Sequence, residues 1–281
     1  MDFYKIYNPI TADPFRKSGE YAEFAPCAAL RPYIRCFWGS VTPYCNDGLP
    51  TGGSFGIVTP DTCMDVIFDI NHTEGNSSAL FCGIDDRSFT FENQPGAGGT
   101  LSTFGIRFYA WSAALFAEDS MSGARNARVD AEAYFCGLKK YLEPRLYEIT
   151  RISDRIALAE KYFMGRLGFA RENAVLEQAM GCILRHRGSI RIKELSYDTG
   201  VCERRLQRIF DEYIGISPKK TAELVRYQYL WNELVYGRNP EIQDLVYRFG
   251  YTDQSHLLRD FKRFHAMTPA QARRRAFDGI G

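Results

Sequence analysis

The sequence predicts an α+β chain, with a β-rich N-terminal half followed by an all-α C-terminal part in which one helical unit occurs twice. Three observations carry this. Short β-branched and aromatic runs, separated by Gly, Pro and Asn clusters, fill residues 1 to 109. From about Ala110 the apolar spacing turns helical and stays so. Between Leu195 and Pro269 a segment repeats at an offset of 50 and then 51 residues.

Composition bounds the class. The 281 residues, 45% hydrophobic and 25% charged, exclude disordered and fibrous chains. At about 150 residues per domain they predict two domains. No apolar run approaches the roughly 18 residues of a membrane span, and Met1 to Lys5 lacks the start of a secretory signal, so a cytoplasmic location and no membrane partner are expected. From Arg171 onward the chain carries 19 Lys+Arg against 14 Asp+Glu, net +5, whereas the part before it has 16 against 20, net −4. A basic C-terminal part fits a polyanionic partner or a solvated face.

The predicted strands are Tyr33–Trp38, Phe55–Thr59, Met64–Ile70 and Thr103–Tyr109, with turns at Gly48–Gly53, Asn71–Asn76 and Pro95–Gly99. They suggest a small barrel or sandwich. The aromatic set Phe37, Trp38, Phe55, Phe68, Phe104, Phe108 and Trp111 serves as core or as pocket lining. Trp38 and Trp111 are the candidates nearest a ligand. Arg107, in an otherwise apolar strand, is a candidate anchor for an anionic group or a salt-bridge partner of Asp65 or Asp69. A helix is predicted over 151–167, capped by Ser153 and Asp154, as a connecting or dimerising element.

The eight cysteines show no CxxC and no Cys/His pair at zinc-finger spacing, which predicts reduced, mostly buried thiols, with a thiol or metal sensor as the alternative. His72 is the only histidine before residue 186, too few for a multi-histidine metal centre. No Walker A, GxGxxG or HExxH pattern is present. No enzyme activity, metal or cofactor is expected.

The repeat carries the functional signal. Each copy reads as helix, Gly-containing turn, helix, with Gly200 and Gly250 where a helix ends in left-handed backbone. The second helices bury Leu206, Phe210, Tyr213 and Leu257, Phe261, Phe264 at i, i+4, i+7. Their other faces present Arg204, Gln207, Arg208 and Gln254, Ser255, Arg259, with Lys262 and Arg263 beyond. Arg grips guanine O6/N7 and Gln grips adenine N6/N7, so these side chains suit a helix-turn-helix reading the major groove of double-stranded DNA. Arg208 and Arg259, a full turn into their helices, are alternatively phosphate contacts. Asp253 is a good N-cap and Cys202, in the same slot, a poor one. Ser217-Pro218 opens a linking helix to about Tyr236. Its 19 residues span roughly 28 Å, close to the roughly 34 Å between successive major grooves.

Gly215-Ile216-Ser217-Pro218-Lys219, Arg226, and Phe249-Gly250-Tyr251-Thr252-Asp253-Gln254-Ser255-His256-Leu257 through Thr268-Pro269 resemble the AraC/XylS family of bacterial transcription regulators. The resemblance spans residues 172–276, with Ser196 and Val246 where alanine is usual and Cys202 where serine is preferred. It implies two helix-turn-helix units on a long helix, with His256, the family's recurrent histidine, in structural support or phosphate contact. Arg31 to Trp38, Pro60 to Phe68 and Gly105 to Phe108 resemble the sensor domain of one branch, implying a cupin-like barrel. The expected organisation is an effector-binding domain over 1–149, a helical linker over 150–171 and a DNA-binding domain over 172–276. A sequence-specific regulator answering a small organic effector follows, with RNA polymerase and a second copy of the chain as further candidate partners. The alternative is a DNA-repair protein with an alkyl-accepting cysteine, since the same DNA-binding pair occurs attached to alkyl-transfer domains.

Overall fold

The computed structural model of the chain describes residues 2–11, 21–46, 55–92, 99–169, 172–238 and 240–278. The predicted turns at Gly48–Gly53 and across Pro95 lie outside them.

Among the described residues the N-terminal part forms nine strands: β1 (Ala22–Phe24), β2 (Ile34–Gly39), β3 (Tyr44–Asn46), β4 (Phe55–Val58), β5 (Cys63–Asn71), β6 (Asn76–Cys82), β7 (Phe89–Glu92), β8 (Gly99–Tyr109) and β9 (Arg128–Asp130). The main sheet runs β1-β2-β8-β5-β6-β9, with β3 also on β8, and β4 pairs separately with β7. Every pairing is antiparallel. All four predicted strands are present.

The sheet is not closed into a barrel, which corrects the expectation of a cupin-like closed wall. Its two edge strands, β1 and β9, are three residues each and do not pair with one another. Closure is replaced by helix cover. Along the strands alternate side chains point to opposite faces, and one face collects Phe37, Val66, Phe68, Phe81, Phe104, Ile106 and Phe108, all fully buried. Helix α1 (Glu132–Leu146) and helix α2 (Ile152–Met164) pack on that face. Phe108 stands 5.5 Å by ring centroid from Phe135 of α1 and from Phe163 of α2. These phenylalanines are therefore core.

Two local expectations change. The segment after Ala110 is not helical throughout: it holds a 3-10 turn at Ala113–Leu115 and the strand β9 before α1 begins. Ser153 and Asp154 lie inside α2, whose N-cap is Arg151. Asp154 instead sits in the first turn, where a carboxylate complements the helix dipole.

α2 is fastened to the sheet by Arg155, whose side chain is fully buried. Its Nε donates to the Ile149 carbonyl at 2.9 Å and its Nη2 reaches Ser102 Oγ at 2.8 Å and His72 Nε2 at 3.1 Å. Burial pulls the Arg155 guanidinium down to about 10.

The C-terminal part is helical: α3 (Ala174–Arg185), α4 (Ile192–Thr199), α5 (Glu203–Ile214), α6 (Pro218–Tyr236), α7 (Ile242–Arg248), α8 (Gln254–His265) and α9 (Pro269–Asp278). Its α6 is docked on the N-terminal part through Gln228, which is 1% exposed. The Gln228 carboxamide accepts from the Ile10 backbone N–H at 2.9 Å and donates to the Pro60 carbonyl at 2.6 Å. Tyr229 OH donates to the Ile6 carbonyl at 3.2 Å. A second contact lies at the end of α5, where the Met121 N–H donates to the Glu212 carbonyl at 2.8 Å and Ser122 Oγ to Asp211 Oδ2 at 2.8 Å. Those bonds engage groups in the last turn of a helix whose final carbonyls lack intrahelical partners.

Candidate nucleic-acid interface

The two repeat copies fold alike. α4 and α7 are the first helices, and α5 and α8, each 12 residues long, are the second. Gly200 and Gly250 turn the chain between them at φ +66° and +64°, where a side chain would strain the backbone. Asp253 Oδ1 caps α8 by accepting from the His256 N–H at 2.7 Å, whereas Cys202 makes no such bond to α5. Leu206, Phe210, Leu257, Phe261 and Phe264 are fully buried.

α6 is the bar between the copies. Ser217 caps it by accepting from the Lys220 N–H at 3.1 Å, and Pro218 occupies its first turn. Trp231 and Tyr227 pack against Phe261 and His265 of α8. Tyr227 OH lies 2.8 Å from His265 Nδ1, within hydrogen-bond distance, and burial holds His265 down at about 4. Arg226 on α6 pairs with Asp260 of α8 at 2.8 Å and lies 4.2 Å from the Tyr251 ring centroid. The second reading helix is thereby fixed to the bar by apolar contact and a half-hidden ion pair.

Arg204, Gln207 and Arg208 on α5, and Gln254, Ser255, Arg259 and Lys262 on α8, are all exposed. None of their side chains has a hydrogen-bond or ion-pair partner among the described residues. Their donors stand ready for an outside acceptor. Two candidates differ. Arg263 is held by Glu223 of α6 at 3.0 Å and Asp260 at 2.8 Å, so its guanidinium is directed along the protein surface. His256 is half-buried, 2.9 Å from Thr252 Oγ1 and edge-on to Tyr251, an arrangement of structural support.

The N-terminal candidates separate. Arg107 and Trp38 lie on the sheet face opposite the phenylalanine core. Arg107 makes a bidentate pair with Asp65, at 2.9 and 3.0 Å, and Trp38 Nε1 donates to the same carboxylate at 3.1 Å. The salt-bridge alternative for Arg107 is the one observed, with Asp65 rather than Asp69. Asp61, 3.9 Å from Arg107, is pushed up to about 6 by burial, against the pull of that guanidinium. Trp111 is elsewhere: it lines a cavity of about 200 Å³ between the sheet domain and α3. Sequence reasoning missed most of that cavity, because its walls come from four distant segments.

All eight cysteines are free thiols. Burial pushes Cys36 and Cys82 up to about 12 and Cys63 well above the ordinary thiol range. Such thiols are poor nucleophiles, which weighs against an alkyl-accepting role for them. Among the described residues no group of three His, Cys, Asp or Glu is placed to hold a metal ion, and no helix is long and apolar enough to cross a membrane.

Duplicated helix-turn-helix units with uncommitted Arg and Gln on both second helices define a DNA-binding transcription regulator. Residues 195–275 match the family described as a helix-turn-helix domain. Residues 22–130 match a domain of unknown function, DUF6597. No curated protein matches the chain. Among solved structures, ToxT from Vibrio cholerae aligns at TM-score 0.42 and 12% identity, over 80% of this chain and 94% of that one. ToxT bound to (E)-4-(8-methylnaphthalen-1-yl)but-3-enoic acid aligns at TM-score 0.43 and 10% identity, over 79% and 96%.

Proposed function

We propose that the chain regulates transcription by reading two successive major-groove segments with one polypeptide and by coupling that reading to a small-molecule effector. In this reading residues 1–149 sense, 150–171 connect and 172–276 bind DNA. Arg204, Gln207 and Arg208 face one groove segment; Gln254, Ser255 and Arg259 face the next; Lys262 neutralises phosphate. The observation that carries it is the pair of 12-residue helices with exposed, uncommitted donors, held apart by a 19-residue helix. Gln228 and the last turn of α5 both touch the N-terminal part, so a rearrangement there alters the pose of a reading helix. An effector acts only through differential affinity for two such arrangements.

Selection of bound duplexes from a random pool by the full chain tests the reading. A bipartite motif is expected, with an affinity that falls linearly in log K against log salt as phosphate counterions are released. Failure to enrich any motif at low salt refutes it.

A further inference from the structure

The two copies of the repeat are alike in shape and unlike in charge. Residues 191–200 and 241–250 show the same order of exposed, half-buried and buried positions. Yet Arg185 to Arg208 carries seven Lys+Arg against three Asp+Glu, whereas the matching stretch, Val235 to Arg259, carries three against three. The difference is sharpest where the first helix of each copy begins. α4 has Arg191 as its N-cap and Lys193 in its first turn; α7 has Glu241 and Gln243 in the same places. Carboxylates suit a helix N-terminus and cations oppose its dipole, and arginine is not among the side chains that cap. The second copy obeys local helix chemistry and the first departs from it. Such a departure marks a functional demand rather than a folding one.

The loop from α3 into α4 is wedged between α6 and the turn of the second unit. Ser189 Oγ donates to the Phe249 carbonyl at 3.0 Å. Gly188, at φ +76°, lies so close to α6 that a Cβ would fall 2.2 Å from the Ala222 carbonyl oxygen. Arg191 and Lys193, just beyond this loop, therefore stand at the seam between the two reading units. Both are exposed, and neither side chain has a hydrogen-bond or ion-pair partner among the described residues. The neighbouring carboxylate, Glu194, accepts from the Arg191 backbone N–H at 3.3 Å instead of pairing with either side chain. Tyr197, one turn beyond Lys193 on the same face of α4, is 88% exposed. Tyr247 repeats it on α7 without the two cations.

A helix-turn-helix lays its first helix across the sugar-phosphate backbone, and in three-helix variants the loop before that helix touches phosphate too. A duplex read in two successive major grooves carries its backbone past the seam between the readers. We propose that Arg191 and Lys193, with Tyr197 beside them, clamp the DNA phosphate backbone at this seam. The clamp has no charged counterpart on α7, so the first unit carries the larger share of the phosphate grip. Two cations neutralise phosphates, and the Tyr197 hydroxyl donates to a phosphate oxygen. This deepens the regulator reading above and rests on it.

The full chain and its Arg191→Gln/Lys193→Gln variant are titrated with a selected duplex and with a scrambled duplex of equal length, across a range of salt concentrations. The slope of log K against log salt is expected to become shallower by about 2 in the double variant, and by about 1 in each single variant. Affinity at about 0.1 M salt is expected to fall roughly ten-fold or more on both duplexes, with the selected motif unchanged. The thermal midpoint should stay level or rise, because two cations leave a helix N-terminus. Tyr197→Phe should weaken both duplexes a few-fold at an unchanged slope, since a neutral hydroxyl releases no counterion. An unchanged slope in the double variant overturns the proposal. So does a loss confined to the selected duplex, which makes these residues base readers, or a lowered midpoint at unchanged slope, which makes them structural. A wild-type chain that binds neither duplex at low salt refutes the regulator reading. One that binds, and whose double variant keeps the full slope, refutes the clamp alone.

Discussion

Replacing Gln228 with methionine keeps the side chain's length and removes both of its hydrogen bonds. The carboxamide is buried in the middle of α6 and holds two backbone groups of the N-terminal part, the Ile10 N–H and the Pro60 carbonyl. Each neutral bond contributes about 1 kcal/mol net, and each partner left buried without a bond costs about 1–3 kcal/mol. Methionine adds apolar contact but matches neither backbone group. The sum is a loss of roughly 2–5 kcal/mol, borne by docking of the two parts rather than by the folding of either. Urea unfolding of the full chain followed by tryptophan fluorescence and far-UV dichroism reads it. The expected result is an earlier first transition and separation of the two probes, as the parts come apart before they unfold. A Gln228→Met chain that unfolds in one step at the wild-type midpoint refutes the reasoning that α6 is gripped through this residue.

Arg204→Ala and Gln207→Ala should each cost about 1–3 kcal/mol in DNA affinity and relax base preference only in the segment read by α5, checked by repeating the selection with each variant. Arg226→Ala should destabilise the chain by about 1.5–3 kcal/mol, because it removes the better-buried partner of Asp260 and leaves that carboxylate to Arg263 alone. Arg263→Ala, which removes a more exposed partner of Asp260, should cost less than about 1 kcal/mol; chemical denaturation compares the two. His265 ionises near 4 when folded and near 6.5 when not, so the unfolded chain takes up the proton first and stability falls as pH drops through that window, by up to about 3 kcal/mol. Asp61, held near 6 when folded, acts in the opposite sense, its contribution to stability falling as pH rises from 3.8 to about 6. The difference between wild type and His265→Gln across pH 7 to 4 isolates the histidine, and a pH-independent difference contradicts its burial in the neutral state.

The helical repeat was legible because its signals are local. Gly200 and Gly250 occupy the turns with positive φ, Ser217-Pro218 starts α6, and helical spacing at Leu206/Phe210 and Leu257/Phe261 marks the inward stripe. The long β5 and β8 were legible through their β-branched and aromatic runs. β1, β3 and β9 were not: three residues carry no period, and pairing with β2, β8 and β6 makes them strands. An open sheet covered by helices and a closed barrel also share one alternating pattern, so Phe37, Phe68 and Phe108 announced burial without saying what lay opposite. Arg263 reads as a surface cation until Glu223, 40 residues away, folds beside it. Likewise the Gln228 bonds to Pro60 and Ile10 span 168 and 218 positions, and a lone polar residue on a helix gives no sign of such partners.

The central claim is that α5 and α8 enter two adjacent major grooves on one face of the duplex. Methylation-interference footprinting of the full chain on a selected duplex measures this directly, since guanine N7 lies in the major groove. Two clusters of interfering guanines separated by about one helical turn, roughly 10 base pairs, are predicted, with Arg204→Ala erasing only one of them. A single cluster, or two that both survive Arg204→Ala and Gln207→Ala, contradicts the account.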